Sequence, residues 1–439
     1  MKIYFVSLGC DKNLVDSEHM LGRLSKKYEI INDPEEADIA VVNTCAFIND
    51  AKEESINTII ELSGLKTENL KHLFITGCLS QRYHEDLEGL IPEIDGFIGI
   101  SAIDRIVEDI DRVVEGEKVK DFPDINDPQN ITAFRYMTPP YHSSYLKIAE
   151  GCDKNCTYCS IPSIRGAFRS IPMEELVDEA KYLADNGVSE IILIAQETTV
   201  YGTDLYGKKS LVELVEKISE IDGIKWIRLM YCYPEEIDDA LIDLLAKNKK
   251  VCHYLDIPIQ HSSDLILQRM GRRTSRKDLV DIITKLRNKV PDISLRTSLI
   301  AGFPGETQED FEDLLAFVKE IKFDRLGVFA YSREEGTLAY KFKNQVPQKI
   351  KKERRNKIME EQSKISEYKN SLMVDKVFTA IIDGFDPENE VYVGRLYKDA
   401  PDVDGVVFIK GDRNLMSGDY VDVLITDYNE YDLIGEIKE

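Results

Sequence analysis

A chain of 439 residues is too long for one ordinary hydrophobic core, so two or three domains are expected. Hydrophobic residues at 43% beside charged residues at 31% describe a globular protein. No apolar run reaches a membrane span and residues 1 to 10 lack the basic start and cleavage pattern of a signal peptide, which points to the cytoplasm. The formal net charge of −24 works against a phosphate-backbone partner, and eight cysteines without a secretion signal argue for metal or redox chemistry over a disulfide framework.

The first third alternates strands and helices, as an open parallel α/β domain does. Lys2 to Ser7 is a short apolar run ending at Gly9-Cys10, and Ser17 to Tyr28 has the helical spacing of Met20, Leu21 and Leu24. Ala37 to Val42 is a second strand that runs into Cys45, His72 to Thr76 a third that runs into Cys78, and Gly96 to Ile100 a fourth. The carboxyl ends of parallel strands share one edge, so Cys10, Cys45 and Cys78 are expected to converge as a cluster site with three protein ligands. Small buried residues capping strands would explain one or two such cysteines, but less readily three in register. Residues 116 to 137, with Pro123, Asp124, Asn126, Asp127, Pro128 and Asn130, lack a periodic pattern and suggest a linker.

From Tyr145 the alternation resumes. Tyr145 to Ala149, Ser189 to Ala195, Trp226 to Met230, His253 to Pro258, Ile293 to Ile300 and Arg325 to Tyr331 are predicted strands, with helices such as Glu174 to Asn186, Leu211 to Ile221 and Asp310 to Ile321 between them. Six β/α units suit a partial parallel barrel with its active face at the carboxyl ends of the strands. Polar residues gather there: Gln196-Glu197-Thr198, Tyr231-Cys232-Tyr233, Gln260-His261, and Gly302 to Glu306. Cys232 and Cys252 are expected to be ordinary buried cysteines, and His261 is as readily a satisfied core histidine as a ligand. The basic cluster Lys349 to Arg355 opens a charged helix to about Asn370, expected to be solvated.

The loop after the first of these strands carries Cys152, Cys156 and Cys159, spaced to place three thiolates on three irons of a cubane and leave the fourth open. Structural zinc is the plainer reading, but no fourth cysteine or nearby histidine completes a set.

After Ser371 the period changes. Val377 to Ile382, Val391 to Leu396, Val406 to Ile409, Tyr420 to Ile425 and Leu433 to Ile437 are short alternating strands, expected to close a small β-barrel of the OB-like kind. Residues 371 to 439 hold 11 Asp and 5 Glu against 4 Lys and 2 Arg, a poor face for RNA unless the basic residues are segregated.

The cysteine loop, with Tyr158 before its last cysteine, resembles that of radical S-adenosylmethionine enzymes. With both triads and the terminal barrel placed, the chain resembles the methylthiotransferases along nearly its whole length, on Ser7 to Glu18, Val42 to Ile48, Tyr254 to His261, Arg296 to Glu306, Tyr331 to Thr337 and Asp399 to Gly405. The resemblance implies a cluster domain at 1–115, a linker at 116–137, a radical S-adenosylmethionine core at 138–370 and a TRAM barrel at 371–439. It implies one [4Fe–4S] cluster on Cys10, Cys45 and Cys78 and a second on Cys152, Cys156 and Cys159, with S-adenosylmethionine met by Tyr158, Gln196, Glu197, Ile300 and Gly302.

The reaction so implied replaces a C–H at the β-carbon of an aspartate of ribosomal protein S-twelve with C–SCH₃, consuming two S-adenosylmethionine molecules. The stretch Asp399 to Gly405 is associated with this protein-modifying branch, and an acidic barrel suits a basic ribosomal protein. An electron donor of the flavodoxin or ferredoxin kind, a sulfur source, no membrane and a monomer complete the expectation. Methylthiolation of an adenosine in tRNA is the alternative within the same chemistry, and a non-catalytic metal protein bound to ribosomes is the alternative outside it.

Overall fold

A computed structural model of the chain describes residues 1–127, 134–411 and 414–438. The first domain contains β1 (Lys2–Ser7), α1 (Asp11–Leu24), β2 (Glu29–Ile31), β3 (Ile39–Thr44), α2 (Asn49–Gly64), β4 (His72–Thr76), α3 (Gly77–Leu90), β5 (Gly96–Ile98), α4 (Ile106–Val114) and β6 (Val119–Asp121). Its six strands pair in the order β2-β1-β3-β4-β5-β6, all in parallel. β1, β3 and β4 are therefore adjacent, and the cysteines that follow them share one edge.

Two expectations change here. Helix α1 begins at Asp11, not Ser17: its first turns bury Val15 together with the polar Lys12, Asn13 and Asp16, so apolar spacing marks them only weakly. The expected linker 116–137 opens with β6, the edge strand beside β5, and near its end Arg135 is buried between Glu18 and Glu179, 2.8 Å from the latter. Pro128 and Asn130 lie outside the described residues.

The central domain opens with β7 (Ser143–Lys147), after which the chain peels away. Ala149–Glu150 (β8) pairs with Arg169–Ser170 (β9) in a separate ribbon that brackets the cysteine loop and α5 (Ile161–Arg165). There follow α6 (Met173–Asp185), β10 (Glu190–Ile194), α7 (Thr203–Tyr206), α8 (Leu211–Ser219), β11 (Trp226–Leu229), α9 (Asp239–Lys247) and β12 (Val251–Asp256). The domain ends with α10 (Asp264–Arg269), α11 (Arg276–Lys289), β13 (Ser294–Ala301), α12 (Gln308–Ile321), β14 (Arg325–Ala330) and α13 (Gln348–Ser371). The strands form one parallel sheet in the order β14-β13-β12-β11-β10-β7, the partial barrel expected. Ile191 and Leu193 face the helices in the main core, while Ile192 and Ile194 face the concave side with Met230, Cys252 and Tyr254.

That concave side is covered by the other two domains: Val15 of α1 and Ala400 of the terminal barrel both pack there. The barrel itself is β15 (Val377–Asp386), β16 (Val391–Leu396), β17 (Val407–Lys410), β18 (Tyr420–Tyr428) and β19 (Leu433–Ile437), closed in the order β15-β16-β17-β19-β18.

Within the stretch Asp399 to Gly405 two of the three carboxylates turn inward, while Asp402 stays exposed. Asp399 accepts from Arg325 Nε at 3.0 Å, and Asp404 accepts from the Tyr254 hydroxyl at 2.8 Å and lies 3.4 Å from Arg296. Both carboxylates are buried against the concave face of the sheet, where their charge is spent on the core's own arginines. Helix α13 also departs from a solvated helix, since Lys351 and Arg354 are buried against the turn that follows β13.

Candidate active site

Cys10 follows β1 as the residue before α1, Cys45 follows β3, and Cys78 lies in the first turn of α3, immediately past β4. Gly9 has φ +97°, and a Cβ there would stand 2.7 Å from Cys45 Cβ, so only glycine lets the first cysteine loop approach the second so closely. Asn13 ties the three loops. Its Nδ2 donates to the carbonyls of Leu8 (2.8 Å) and Thr44 (3.0 Å), and its Oδ1 accepts from the Cys78 thiol at 4.0 Å. Burial pushes the Cys78 thiol up to about 12, against the opposing charge of Arg165, and raises the Cys45 thiol as well. Metal binding at these thiols therefore expels protons.

The second triad lies on the loop between β8 and α5. Lys154 N donates to Cys152 Sγ at 3.4 Å, Cys156 Sγ lies 3.7 Å from the Tyr233 hydroxyl, and burial pushes Cys152 up to about 11 and Cys159 to about 12. The loop is sewn to the end of α10 by Thr157, whose N–H donates to Met270 O at 2.9 Å and whose hydroxyl donates to Arg269 O at 2.8 Å. Tyr158 turns inward and packs edge-on to Phe303, with Ile300 in the same apolar cluster.

Beyond β10, Gln196 Nε2 donates to Glu150 at 2.7 Å and Glu197 Oε1 accepts from Thr199 N at 3.0 Å. Burial raises the Glu197 carboxyl to about 7, with Thr199 and Lys154 opposing the shift. Gly302 contributes its N–H to Glu306 at 2.7 Å, and its Cα faces Lys351. Tyr231 and Gln260, at the carboxyl ends of β11 and β12, have φ of +60° and +70°, backbone strain that collects at this edge. His261 is fully buried, with Nδ1 accepting from Ser263 N at 2.9 Å and Nε2 3.6 Å from Glu306.

Between the triads lies a buried ion network. Arg165 Nη1 is 2.7 Å from Glu150 and 3.1 Å from Asp16, and its Nη2 donates to Asn13 Oδ1 at 2.5 Å. Lys147 pairs with Asp16 and, at 2.8 Å, with Glu150. Burial alone would raise the Glu150 carboxyl, but Arg165 and Lys147 outweigh it and hold it well below the usual carboxylate range. Two carboxylates are matched by two cations, which is the condition for burying charge at all.

The Radical SAM superfamily matches residues 146–318, the Uncharacterized protein family UPF0004 matches residues 2–99, and the TRAM domain matches residues 374–437. A protein of Lachnoclostridium phytofermentans named ribosomal protein uS12 methylthiotransferase RimO is 56% identical over 99% of this chain and 99% of its own. The proteins of the same name from Acetivibrio thermocellus and Clostridioides difficile are 49% and 48% identical, over 99% and 100% of this chain and 98% and 99% of theirs. The chain belongs to the RimO family.

As a RimO family member it is a radical S-adenosylmethionine methylthiotransferase whose cofactors are [4Fe–4S] clusters and S-adenosylmethionine. Among solved structures, the radical S-adenosylmethionine methyltransferase TsrM from Kitasatospora setae superposes with a TM-score of 0.57 at 14% identity, covering 74% of this chain and 72% of its own. OxsB, a cobalamin-dependent S-adenosylmethionine radical enzyme, superposes with a TM-score of 0.51 at 13% identity over 83% of this chain and 56% of its own. Both likenesses concern the fold.

The residues present fit the RimO family's cofactors. Next to the second triad Gln196 Oε1, Glu197 Oε2 and the Nε and Nη1 of Arg272 are buried without a hydrogen-bond partner, the condition of a site that expects a polar ligand. No three His, Cys, Asp or Glu side chains among the described residues close on a single metal-ion position. A cubane does not ask for that, since its thiolates sit on different irons. Cys232 and Cys252 stand apart from both triads: the Cys232 thiol donates to Met230 O at 3.9 Å, and Cys252 packs in the concave core.

Asn13, Asp16, Lys147 and Arg165 were missed as site residues. Asn13 and Asp16 lie inside the stretch Ser7 to Glu18 and Arg165 six residues past Cys159, so proximity to the motifs was the available signal. The bonds that join Asn13 and Asp16 to Lys147 and Arg165 span 131 to 152 residues, a separation that local pattern does not reveal.

Proposed function

We propose that this chain converts one aspartate of ribosomal protein S-twelve to its β-methylthio derivative, with Cys10, Cys45 and Cys78 holding one cluster and Cys152, Cys156 and Cys159 the other. The observation that carries this is the meeting of two cysteine triads across one buried ion network, in a chain that belongs to the RimO family. Bound there, the clusters supply the electron that cleaves S-adenosylmethionine and the sulfur that is transferred.

The chain's own residues hold and exclude. Three thiolates per site leave an open position at each. Gln196, Glu197 and Tyr158 line the approach to the second triad, Ile300 backs Tyr158, and Gly302 serves through its backbone, its Cα being turned to Lys351. Val15 and Ala400 pack on the concave face of the core with Ile192, Ile194, Met230, Cys252 and Tyr254 and make that interior apolar.

No helix among the described residues is long and apolar enough to cross a membrane. The enzyme works in the cytoplasm as a monomer, with a flavodoxin- or ferredoxin-type electron donor and a separate sulfur source. Family membership supports the protein substrate; Asp399 and Asp404 are turned inward, and the exposed carboxylates of the barrel are others, such as Glu388, Asp422 and Glu430.

The test is mass spectrometry of an anaerobic reaction containing the iron-loaded protein, reductant, sulfide, S-adenosylmethionine, and either ribosomal protein S-twelve or unmodified tRNA. A gain of about 46 Da on one aspartate, H replaced by SCH₃, is expected. The same gain on an adenosine with the protein untouched would reject the protein substrate.

A further inference from the structure

We propose that Arg165 is a positioning residue of the first triad, supplied across the domain boundary by the same loop that carries the second. The inference rests on the reading that Cys10, Cys45 and Cys78 hold a cluster. Arg165 ends α5, the short helix directly after Cys159, and only 2% of it is exposed. Its guanidinium is divided between two tasks. Nη1 pairs with Asp16 and Glu150, while Nη2 donates to Asn13 Oδ1.

That second bond selects which way the Asn13 amide faces. With Oδ1 engaged by a cation, Nδ2 is directed to the carbonyls of Leu8, two residues before Cys10, and of Thr44, immediately before Cys45. The same Oδ1 meets the Cys78 thiol. One side chain thereby holds the backbone leading to two ligands, with its Oδ1 4.0 Å from the sulfur of the third, and Arg165 orients it. A flipped amide would set Nδ2 against Arg165 and Oδ1 against two carbonyl oxygens, which no neutral rotamer could relieve.

The charge has a consequence of its own. A cluster held by three thiolates becomes more negative on reduction, and a buried guanidinium beside Cys78 and Cys45 stabilises the reduced form. Arg165 acts on both thiols electrostatically, and on the opposite side it is fixed by Glu150, two residues before Cys152. The two cluster sites thus share one cation, and movement of either loop would be felt at the other.

A plain staple for Asp16 and Glu150 is the competing account, and lysine separates the two. Lysine keeps the charge and can pair with both carboxylates, but it cannot fork to Asn13 as well. Wild type, Arg165→Lys, Arg165→Gln and Asn13→Ala are reconstituted with iron and sulfide in a background in which Cys152, Cys156 and Cys159 are alanine, so that only the first site is read. Iron per chain, resistance to a chelator and the reduction midpoint by EPR-monitored titration are measured.

Retention of iron is expected to fall about 10- to 100-fold in Arg165→Lys, Arg165→Gln and Asn13→Ala, the range for residues that orient metal ligands, whereas wild-type retention in Arg165→Lys would reject positioning and leave the staple. The midpoint of Arg165→Gln is expected to move to more negative potential, and that of Arg165→Lys to stay near wild type. Should Arg165→Gln fail to fold, Asn13→Ala, which leaves every ion pair in place, decides through iron retention. Unchanged retention and midpoint in a folded Gln variant, or unchanged retention in Asn13→Ala, would reject the role of Arg165 while leaving the cluster site intact. A wild-type background that holds no iron would reject the cluster site and the inference together.

Discussion

Arg395 of the terminal barrel places its Nη2 2.8 Å from Glu190, the first residue of strand β10, and both side chains are almost wholly buried. Glu190 also accepts from Arg228 Nε at 3.0 Å and Nη2 at 2.9 Å, and Arg395 in turn holds Asp383, which lies 2.8 Å from His142. One carboxylate therefore joins the barrel to the core through two arginines. Removing it leaves two guanidinium groups facing each other without water. Glu190→Gln is expected to cost about 3–5 kcal/mol, as breaking buried ion pairs does. The loss is to be read in denaturant unfolding and in faster proteolysis at the start of the barrel near Val377. A change under about 1 kcal/mol, the scale of an exposed pair, would show that the contact does not hold the barrel.

The same carboxylate sets an acid limb. Burial by itself would raise the Glu190 pKa, but Arg395 and Arg228 outweigh it and bring it from 4.5 down to about 2. Glu179, between His19 and Arg135, is likewise held at about 2. A depressed folded pKa means stabilisation that is complete above the unfolded value and lost as pH falls toward the folded one. Stability should therefore decline between about pH 5 and about pH 2, and the decline should be shallower in Glu190→Gln. Equal slopes in the two proteins would remove Glu190 from the acid response.

Cys156→Ala should abolish reductive cleavage of S-adenosylmethionine, whereas Cys45→Ala should leave cleavage possible and stop sulfur insertion. Quantifying 5′-deoxyadenosine beside methylthiolated product separates the two variants. Methylthio transfer by Cys45→Ala would overturn the assignment of two cluster sites.

Gly151 stands between Glu150 and Cys152 with φ +76°, and a Cβ there would lie 2.0 Å from the Ala167 carbonyl oxygen. Gly151→Ala touches no ligand, yet it must displace the backbone that leads into the second triad. About 1–3 kcal/mol of strain is expected. Less iron should be retained at Cys152, Cys156 and Cys159, read as iron per chain after reconstitution, and iron per chain equal to wild type would show that the strain does not reach the loop.

Three architectures and both cysteine triads were legible in the linear chain, because each rests on a local regularity. β16 and β19 match their expected bounds, and the six core strands lie within a few residues of theirs. Period-two and period-three-and-a-half patterns arise from one face meeting oil and the other water, which neighbouring residues record. Where the buried face is polar that record is missing. Asp11 to Asp16 are helical, but beside the apolar Leu14 and Val15 the buried residues Lys12, Asn13 and Asp16 are polar, so the first turns of α1 carried only a weak apolar signal.

Composition told only part of the story. Of the acidic residues in 371 to 439, Asp383, Asp399 and Asp404 are matched by Arg395, Arg325 and Arg296, while Asp375, Glu388, Glu390, Asp402, Asp422, Asp427, Glu430 and Glu436 are exposed. Net charge counts residues without saying which of them face outward. The position of each cysteine at a strand end or in one loop was legible in the chain, since strand ends and loop spacing are properties of neighbouring residues. It took the packed domains to bring Arg165 of one to Asn13 of another, and to turn Asp399, Ala400 and Asp404 toward the core sheet. Such pairings depend on Coulomb attraction and desolvation between groups more than a hundred residues apart, and they exist only once the domains have packed.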